Sequence, residues 1–485
     1  MLRTDTVQSP QSRCRAGVAR CDITPPIGIY HRMWGAAIHD RATAVHRPLE
    51  ATLLWLEPTN AWAAGSVRLV LSLDHCVLDS AEIGNFRQAM HRAVGVDPQN
   101  IQITLTHTHG SGWMSRQRSG HDGGELIGPY LDELCANLAQ LAVAASERVE
   151  PVTIVYGTGH CSLAAHRDFF DSERGHAVCG FSPAGPADDT VLVGRISTDD
   201  QRTLATLVNY ACHPTTLAWD NTALSPDWVG AMRETVERTA GGLCLFLQGA
   251  SGDLGPREGF VGDHAVADRN GRQLGYAVLA ALEAMPPAGT EYKYVGPVLS
   301  GTWIGTWKHE PLSPESLAEQ TIWRWQTLVV DLAYRHDLPT LDETTRNRDH
   351  WLQEEELARR TGDAIRIRDC RANVEQMTRQ LARLAALVPG ETYPLPISIA
   401  LLGDAIWVFV PGELYQVFQT SLRARFAPRP VVVATLSGGW QPGYIPPAEA
   451  YGRGIYQEVI AATAPGALEM LIEATSRAIE HSLSR

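Results

Sequence analysis

Short apolar runs alternate with helical stripes along this chain. The stretches LEATLLWLE, VRLVLSLDHCVLD and IQITLTHTH have the length and character of strands, and the helix-like stretch SAEIGNFRQAMHRAVG separates the last two. Leu131, Leu134, Leu138 and Leu141 lie at helical spacing and predict an amphipathic helix. Farther on, TLATLVNYACHPTTLA predicts a strand ending at Pro214, and GGLCLFLQGASGDLGPR predicts a buried strand that runs into a glycine-rich loop. Strand, helix and strand in succession predict an α/β fold.

The pattern changes between residues 312 and 388. Ser313, Pro314 and Glu315 have the features of a helix start, with a cap, a proline in the first turn and an acid after it. Two apolar stripes at helical spacing follow, and their members are Ile322, Trp325, Val329 and Leu332, then Val374, Met377, Leu381, Leu384 and Val388. We predict a helical hairpin at 312–388, inserted into an α/β domain formed by 16–311 and 389–485, with residues 1–15 as an N-terminal tail.

Composition and charge exclude several classes of protein. The 485 residues carry a formal net charge of −13 and no basic block, which argues against a nucleic-acid partner. No run approaches 18 apolar residues, so we expect no transmembrane segment. The first residues, MLRTDTVQSPQSRCRAG, lack the apolar core of a secretory signal, and the nine cysteines are scattered without a C-x-x-C pair. These features predict a cytoplasmic protein with reduced thiols.

Ionisable residues follow several of the predicted strands, at the ends where α/β sheets present their sites. They are Asp74, His75, His107, His109, His213, Asp253 and Glu413. Because residues i and i+2 of a strand share a face, His107 and His109 in TLTHTHGSG would point the same way. Such a pair is suited to holding a metal or polarising a substrate, but it is equally compatible with ordinary polar residues at a sheet edge.

His107, His213 and Glu413 form a plausible zinc-binding set, since imidazole nitrogen and carboxylate oxygen are zinc ligands when cysteines are absent from the pattern. A serine-hydrolase interpretation is weaker, because the chain has no G-x-S-x-G elbow and the neighbours of Ser251 do not fit that turn. The glycine-rich loop around Ser251 also lacks the Gly-Lys-Ser/Thr of a P-loop.

Six stretches, in order along most of the chain, resemble the catalytic domain of the neutral, or alkaline non-lysosomal, ceramidase family. They are GVARCDITPP, WGAAIHDRATAVHRPLEA, THTHGSG, NYACHPTTL, GASGDLGPR and VPGELY. The most specific likeness is GYIPPAEAYGRGIYQE, which places Tyr444 and Tyr456 twelve residues apart with Tyr451 between them, as the family does. The resemblance implies stacked mixed β-sheets flanked by helices, a Zn²⁺ cofactor and a small-molecule acyl-amide substrate of lipid metabolism.

The resemblance also implies a role for each site residue. The zinc ligands would be His107, His213, Glu413 and Tyr444, and the catalytic residues would be His109, Arg167 and Tyr456. His109 would point at the scissile carbonyl, Tyr456 would help to hold the oxyanion, and Arg167 would contact the substrate or its developing charge. Together they would carry out zinc-assisted hydrolysis of an amide.

The sequence departs from the family in two places. The serine of the family's Gly-Asp-Val-Ser-Pro segment falls on Gly255, and the chain continues for only 29 residues after Tyr456, without the family's C-terminal β-sandwich module. We therefore expect a substrate smaller or more soluble than ceramide. A zinc esterase or lactonase on the same scaffold, and a non-catalytic protein that keeps the zinc pocket, remain as alternatives, the latter favoured by Gly255.

Overall fold

An eight-stranded mixed sheet forms the centre of the computed structural model, which describes residues 5–59 and 66–485. Its strands in chain order are β1 (Gln11–Asp22), β2 (Glu50–Glu57), β3 (Arg68–Leu73), β4 (Ile101–Leu105), β5 (Glu150–His160), β6 (Thr190–Thr198), β7 (Thr203–Tyr210) and β8 (Leu243–Gln248). Their spatial order is β8-β7-β6-β5-β1-β2-β3-β4. The pairs β3–β4 and β7–β8 are parallel, and the other neighbours are antiparallel. The predicted strands and the α/β class are confirmed, except that the strand predicted to end at Pro214 ends at Tyr210.

The central sheet curls, so that its two ends approach each other. The hydroxyl of Ser72 on β3 donates to the carbonyl of Phe246 on β8 at 2.7 Å, and β8 also contacts β4. As a result the C-terminal ends of β4 and β7, which lie far apart in strand order, open toward one region. Those two ends carry His107 and His213.

A second sheet of four strands stacks on the first. Its strands, in both chain and spatial order, are β9 (Trp323–Ala333), β10 (Thr392–Leu402), β11 (Ala405–Phe409) and β12 (Val431–Ala434). Trp407 and Phe409 of β11 pack with Leu54 and Leu245 of the central sheet, whereas Ile406 and Val408 face the other way. This alternation is the period of two expected for strands covered on both faces. Stacked mixed sheets are therefore confirmed.

In the part of the chain that the structure describes, ten α-helices cover these sheets or extend from them. They are α1 (Ser80–Val94), α2 (Ile127–Ser146), α3 (Trp228–Ala240), α4 (His264–Glu283), α5 (Pro314–Gln320), α6 (Leu341–Thr361), α7 (Ala364–Ala385), α8 (Val417–Phe426), α9 (Tyr456–Ile460) and α10 (Ala467–Leu483). Helices α1 to α4 pack on the outer face of the central sheet, and α8 and α10 pack on the outer face of the second. The four leucines of the predicted amphipathic helix are buried in α2. The order of layers is helix, sheet, sheet, helix.

Shorter elements connect the layers. Antiparallel strands Thr290–Ser300 and Thr302–Pro311 form a hairpin, which Thr6–Val7 extends. The remaining short strands are Ala44–Val45, Ala164–His166, Asp168–Asp171, His176–Cys179, Ala223–Leu224, Leu254–Pro256, Glu413–Leu414 and Tyr444–Ile445, and the short 3-10 helices are Pro98–Asn100, His109–Ser111, Arg116–Arg118, Gly124–Leu126 and Ala448–Ala450.

The segment 312–388 differs in part from its prediction. Helix α5 begins after the predicted cap at Ser313, and α6 and α7 form a helical hairpin. The stripe from Ile322 to Leu332 is not helical, because this segment pairs with β10 as strand β9. Val330 and Leu332, two residues apart, are buried, whereas Val329 is exposed. Pairing to the neighbouring strand overrides a spacing that fits a helix equally well. The bounds of the insertion as a separate domain stay a prediction.

The N-terminal prediction also needs correction. Residues 11–15, assigned to a tail, form the start of β1, and residues 1–4 lie outside the described residues. Gln11 and Ser12 are polar yet buried, because they bond to the Thr290 and Leu402 carbonyls. A strand that begins with buried polar residues lacks the apolar pattern by which strands are recognised in a sequence. All nine cysteines have free thiols. Among the described residues, no helix combines the length and apolar character needed to cross a membrane.

Candidate metal centre and its cavity

His107 follows β4 by two residues in a strained conformation. The strand ends at Leu105, and His107 has φ +68°, a region that residues with a side chain seldom occupy. Its backbone N–H donates to the His75 carbonyl at 2.9 Å, and its Nδ1 donates to the Cys76 carbonyl at 2.9 Å. The Nε2 atom is thereby aimed at Glu413 Oε2, at 3.2 Å. Strain of this kind is concentrated at functional sites.

His213 is fixed in the same way from the other end of the central sheet. It follows β7, which ends at Tyr210. Its Nδ1 lies 2.7 Å from the Ser251 carbonyl and 3.0 Å from the Leu254 carbonyl. Its Nε2 faces Glu413 Oε2 at 3.1 Å. Burial lowers the pKa of His213 to about 3, so the ring is neutral at physiological pH.

Glu413 and Tyr444 face each other on a two-residue parallel ladder beyond the second sheet. The Tyr444 hydroxyl lies 3.3 Å from His213 Nε2, and Arg167 Nη2 donates to the same hydroxyl oxygen at 2.8 Å. Burial raises the pKa of Tyr444 well above its usual value, although Arg167 opposes this effect. The structure therefore brings all four predicted zinc ligands to one buried place.

The chemistry of this donor set fits a metal ion. One ligand atom each from His107, His213 and Glu413 lies within 4.8 Å of the others. A carbonyl can only accept, so both Nδ1 atoms must carry hydrogen, and both Nε2 atoms face the Glu413 carboxylate. Despite its burial, the pKa of His107 is raised well above its usual value by Cys76 and Glu413, so its Nε2 holds a proton that a bound metal ion would replace. Although burial opposes it, His107 and His213 lower the pKa of Glu413 well below its usual value. The buried carboxylate thus shares positive charge with two imidazoles, and two nitrogens with one oxygen form a donor set that suits zinc.

Cys76, His107 and His109 form a second, overlapping group of potential ligands. The Cys76 thiol lies 3.5 Å from His107 Nδ1. That nitrogen already donates to the Cys76 carbonyl, so its lone pair is not free for a metal. The set with Glu413 is therefore the better site.

His109 lies beside the cluster but is held differently. Its ring centroid is 5.0 Å from that of His107 at 82°, and 4.9 Å from the Trp34 ring. Neither ring nitrogen has a hydrogen-bond partner among the described residues, although both are buried. Burial, with His107 and His213, lowers the pKa of His109 well below its usual value, so the ring is neutral. The prediction that His107 and His109 share one face of a strand is wrong, because the strand ends at Leu105 and His109 starts a 3-10 helix.

Arg167 and Tyr456 complete the predicted set. Arg167 is buried, and its Nη2 donates to the Gly252 carbonyl at 2.7 Å as well as to Tyr444. Tyr456 starts α9, with its ring centroid 5.8 Å from that of Tyr444. Its side chain is 46% exposed, and it lines the same cavity as Arg167 and His109.

This cavity has a volume of about 530 Å³. Besides the predicted residues it is lined by Met33, Trp34, Gly35, Cys179, Thr215, Trp219, Phe260, Ala372, Glu375, Gln376, Arg379, Arg383 and Ile460. One side is therefore apolar and aromatic, and another is formed by α7. The sequence indicated neither the aromatic residues nor the arginines, although Glu375, Arg379 and Arg383 share a helix face at intervals of four.

Three of the residues at predicted strand ends have other roles. Asp74 forms a buried ion pair with Arg233, and His75 Nε2 lies 2.8 Å from the Tyr130 hydroxyl. Asp253 accepts hydrogen bonds from the backbone and side-chain amides of Gln416, at 2.8 and 2.7 Å. These groups stabilise the loops around the cluster without joining it.

Ser251 and Gly255, the two positions compared above with a serine of the family that the sequence resembles, also lie outside the cluster of His107, His213 and Glu413. The Ser251 hydroxyl lies 3.2 Å from His213 Nδ1 and accepts from Gln248. It contacts the side of His213 that faces away from Glu413. Gly255 lies closer to the cavity, since a Cβ there would meet Thr215 Oγ1 at 3.8 Å and Arg167 Cδ at 3.9 Å.

Two solved structures share this arrangement of layers. The crystal structure of the neutral ceramidase from Pseudomonas aeruginosa superposes with a TM-score of 0.63 and 13% identity, over 97% of this chain and 74% of that one. A structure described as a ceramidase complexed with C2 gives a TM-score of 0.63 and 14% identity, with the same coverage. No model of a known protein family and no curated protein matches the sequence. The chain therefore has the fold of the neutral ceramidase structures.

Proposed function

We propose that this protein is a zinc-dependent hydrolase that cleaves an N-acyl amide bond. The observation that carries the proposal is the convergence of His107 Nε2, His213 Nε2 and a Glu413 oxygen, each imidazole held by backbone carbonyls, next to a cavity of substrate size. Tyr444 would be the fourth ligand. When bound there, zinc supplies Lewis acidity and lowers the pKa of a water molecule to about 7.

The neighbouring side chains would serve the carbonyl group of the substrate. His109 is neutral and has two unpartnered ring nitrogens, so one N–H is available to the carbonyl oxygen as negative charge develops on it. The hydroxyl of Tyr456, which lines the same cavity, would donate to the same oxygen. Arg167 donates to Tyr444 and would also contact the substrate or its developing negative charge.

The cavity favours a compact amphiphilic amide. Trp34, Trp219 and Phe260 give it an apolar side suited to an acyl chain. Helix α7 closes another side with charged residues, which a ceramide headgroup does not require. The substrate would therefore be smaller or more soluble than ceramide.

Metal analysis combined with a substrate panel tests the proposal. We expect about one zinc per chain and chelator-sensitive release of fatty acid from N-acyl amides, restored by added zinc. Turnover of esters alone would replace the amidase by an esterase or lactonase. Stoichiometric zinc without turnover on a broad panel would make the protein a non-catalytic zinc-pocket protein.

A further inference from the structure

Helix α7 turns one charged face toward the cavity. Ala372, Glu375, Gln376, Arg379 and Arg383 line it, at steps of three and four residues that place them on one side of the helix. The helix is held against the body of the protein, since Arg379 donates to the Met33 carbonyl at 2.6 Å. These side chains thus occupy defined positions opposite the aromatic side.

Glu375, the one acid on this face of α7, forms ion pairs with Arg118 and Arg379. Glu375 Oε2 accepts from Arg118 at 2.8 Å, and its Oε1 accepts from Arg118 at 2.9 Å and from Arg379 at 2.7 Å. Arg379 and Arg118 lower the pKa of Glu375 to about 2 despite its burial. Both carboxylate oxygens are therefore committed, and Glu375 does not balance a third cation.

Arg383 is that third cation. Its side chain is only 9% exposed, and its one hydrogen bond goes to the amide oxygen of Gln380. Its Nε has no partner, and no carboxylate in residues 5–59 or 66–485 forms an ion pair with it. Burial lowers the pKa of Arg383 to about 10, which still leaves it charged at neutral pH. A buried charge without a counter-ion is costly, so this arrangement favours a ligand that supplies one.

The rest of the molecule does not attract anions in general. The chain has a net charge of −13, so its overall field repels a negatively charged ligand. Preference for an anion must therefore come from local contacts. In the cavity the local excess is positive, because Arg167, Arg379 and Arg383 line it and Glu375 is the one acid among its described lining residues.

We propose that the substrate carries a carboxylate, and that Arg383 binds this carboxylate while the aromatic side holds the apolar part. This identity rests on the proposed function for the amide, and adds an amphiphilic anion as the substrate class. Arginine is suited to the role because its planar guanidinium donates two parallel hydrogen bonds to a carboxylate. Arg383 would thus determine specificity, with no part in bond cleavage.

Binding measurements test the proposal independently of turnover. The probes are N-decanoylglycine and its neutral counterpart N-decanoylglycinamide, titrated calorimetrically into the zinc-loaded protein. Released decanoic acid is measured in the same samples, so that heat from cleavage is separated from heat from binding. We expect the carboxylate to bind at least about 30-fold more tightly. Arg383→Gln should reduce this ratio to within about threefold, and Arg383→Lys should restore part of it. Arg368→Gln, on the exposed side of the same helix, removes the same charge and should keep the ratio.

Equal affinity of the native protein for both probes would overturn the proposal, as would an unchanged ratio in Arg383→Gln. Decanedioic acid monomethylamide, compared with N-methyldecanamide, places the carboxylate on the acyl side instead and tells which half of the substrate Arg383 contacts. Turnover without carboxylate preference would remove this inference and leave the hydrolase intact. Carboxylate preference without turnover would do the reverse.

Discussion

The floor and the helical wall of the cavity are built in different ways. The floor is the cluster of His107, His213 and Glu413, which follow strands of both sheets and lie next to the cavity-lining His109 and Tyr444. Backbone carbonyls fix the two imidazole rings. The wall is one face of α7, where only side chains determine the charge. The geometry of the floor depends on the positions of two sheets, whereas a single substitution in α7 can alter the charge of the wall. In the proposed enzyme, reaction type and substrate choice would therefore depend on different parts of the fold.

The largest effect should follow removal of a floor residue. His107→Ala takes away a nitrogen ligand and leaves the Glu413 carboxylate buried beside one imidazole. We expect zinc content to fall below about a tenth of an equivalent and kcat/KM to fall by at least about 10⁴-fold, because the metal chemistry is lost. Atomic emission after dialysis and initial rates measure both. His160→Ala, an exposed histidine paired with Asp189, should retain full zinc.

A substitution in the wall should lower the free energy of unfolding without lowering the zinc content. Glu375→Gln leaves Arg118 buried without its carboxylate partner, so we expect the free energy of unfolding to fall by about 3–5 kcal/mol. Urea unfolding measures this loss, and zinc content should stay unchanged. Glu356→Gln breaks an exposed pair with Arg360 and should cost less than about 0.5 kcal/mol. Loss of zinc in Glu375→Gln would show that floor and wall are one unit.

The two histidines of the His-x-His segment should have separable roles, one in the floor and one in the cavity lining. His109→Ala removes a donor without removing a ligand, so we expect kcat to fall by about 10²- to 10³-fold with zinc retained. KM should change little if the contact is made mainly in the transition state. If His109→Ala strips the metal as His107→Ala does, the assignment of separate roles is wrong.

The floor residues could be predicted from the sequence because each of them follows a recognisable strand. Apolar runs followed by His107, His213 and Glu413 are visible as patterns, and a sheet fixes where its strands end. The same pattern also selects Asp74 and Asp253, which are not in the cluster. Asp74 pairs with Arg233, and Asp253 accepts hydrogen bonds from Gln416. Convergence depends on the curl of the central sheet, which no local pattern records.

The wall was not predictable at the level of residues. The pattern of 312–388 predicts a helical hairpin, but it also predicts a helix where strand β9 lies, because that apolar spacing fits both periods. The charge of Arg383 looks like that of any surface arginine in the sequence. Only the packing of α7 against the cavity buries it and separates it from acids.

The smallest effect should come from Gly255, where the family that the sequence resembles carries a serine and where Thr215 and Arg167 of the cavity lie nearby. At Gly255 a Cβ would meet only ordinary contacts, at 3.8 and 3.9 Å, so Gly255→Ser should change the free energy of unfolding by less than about 1 kcal/mol. Gly252→Ser, in the same loop, would place a Cβ 2.9 Å from the Glu413 carbonyl oxygen and should lower both stability and zinc content. Thermal unfolding with metal analysis distinguishes the two variants. A zinc loss in Gly255→Ser equal to that in Gly252→Ser would mean that position 255 supports the floor, and that its glycine is required by packing.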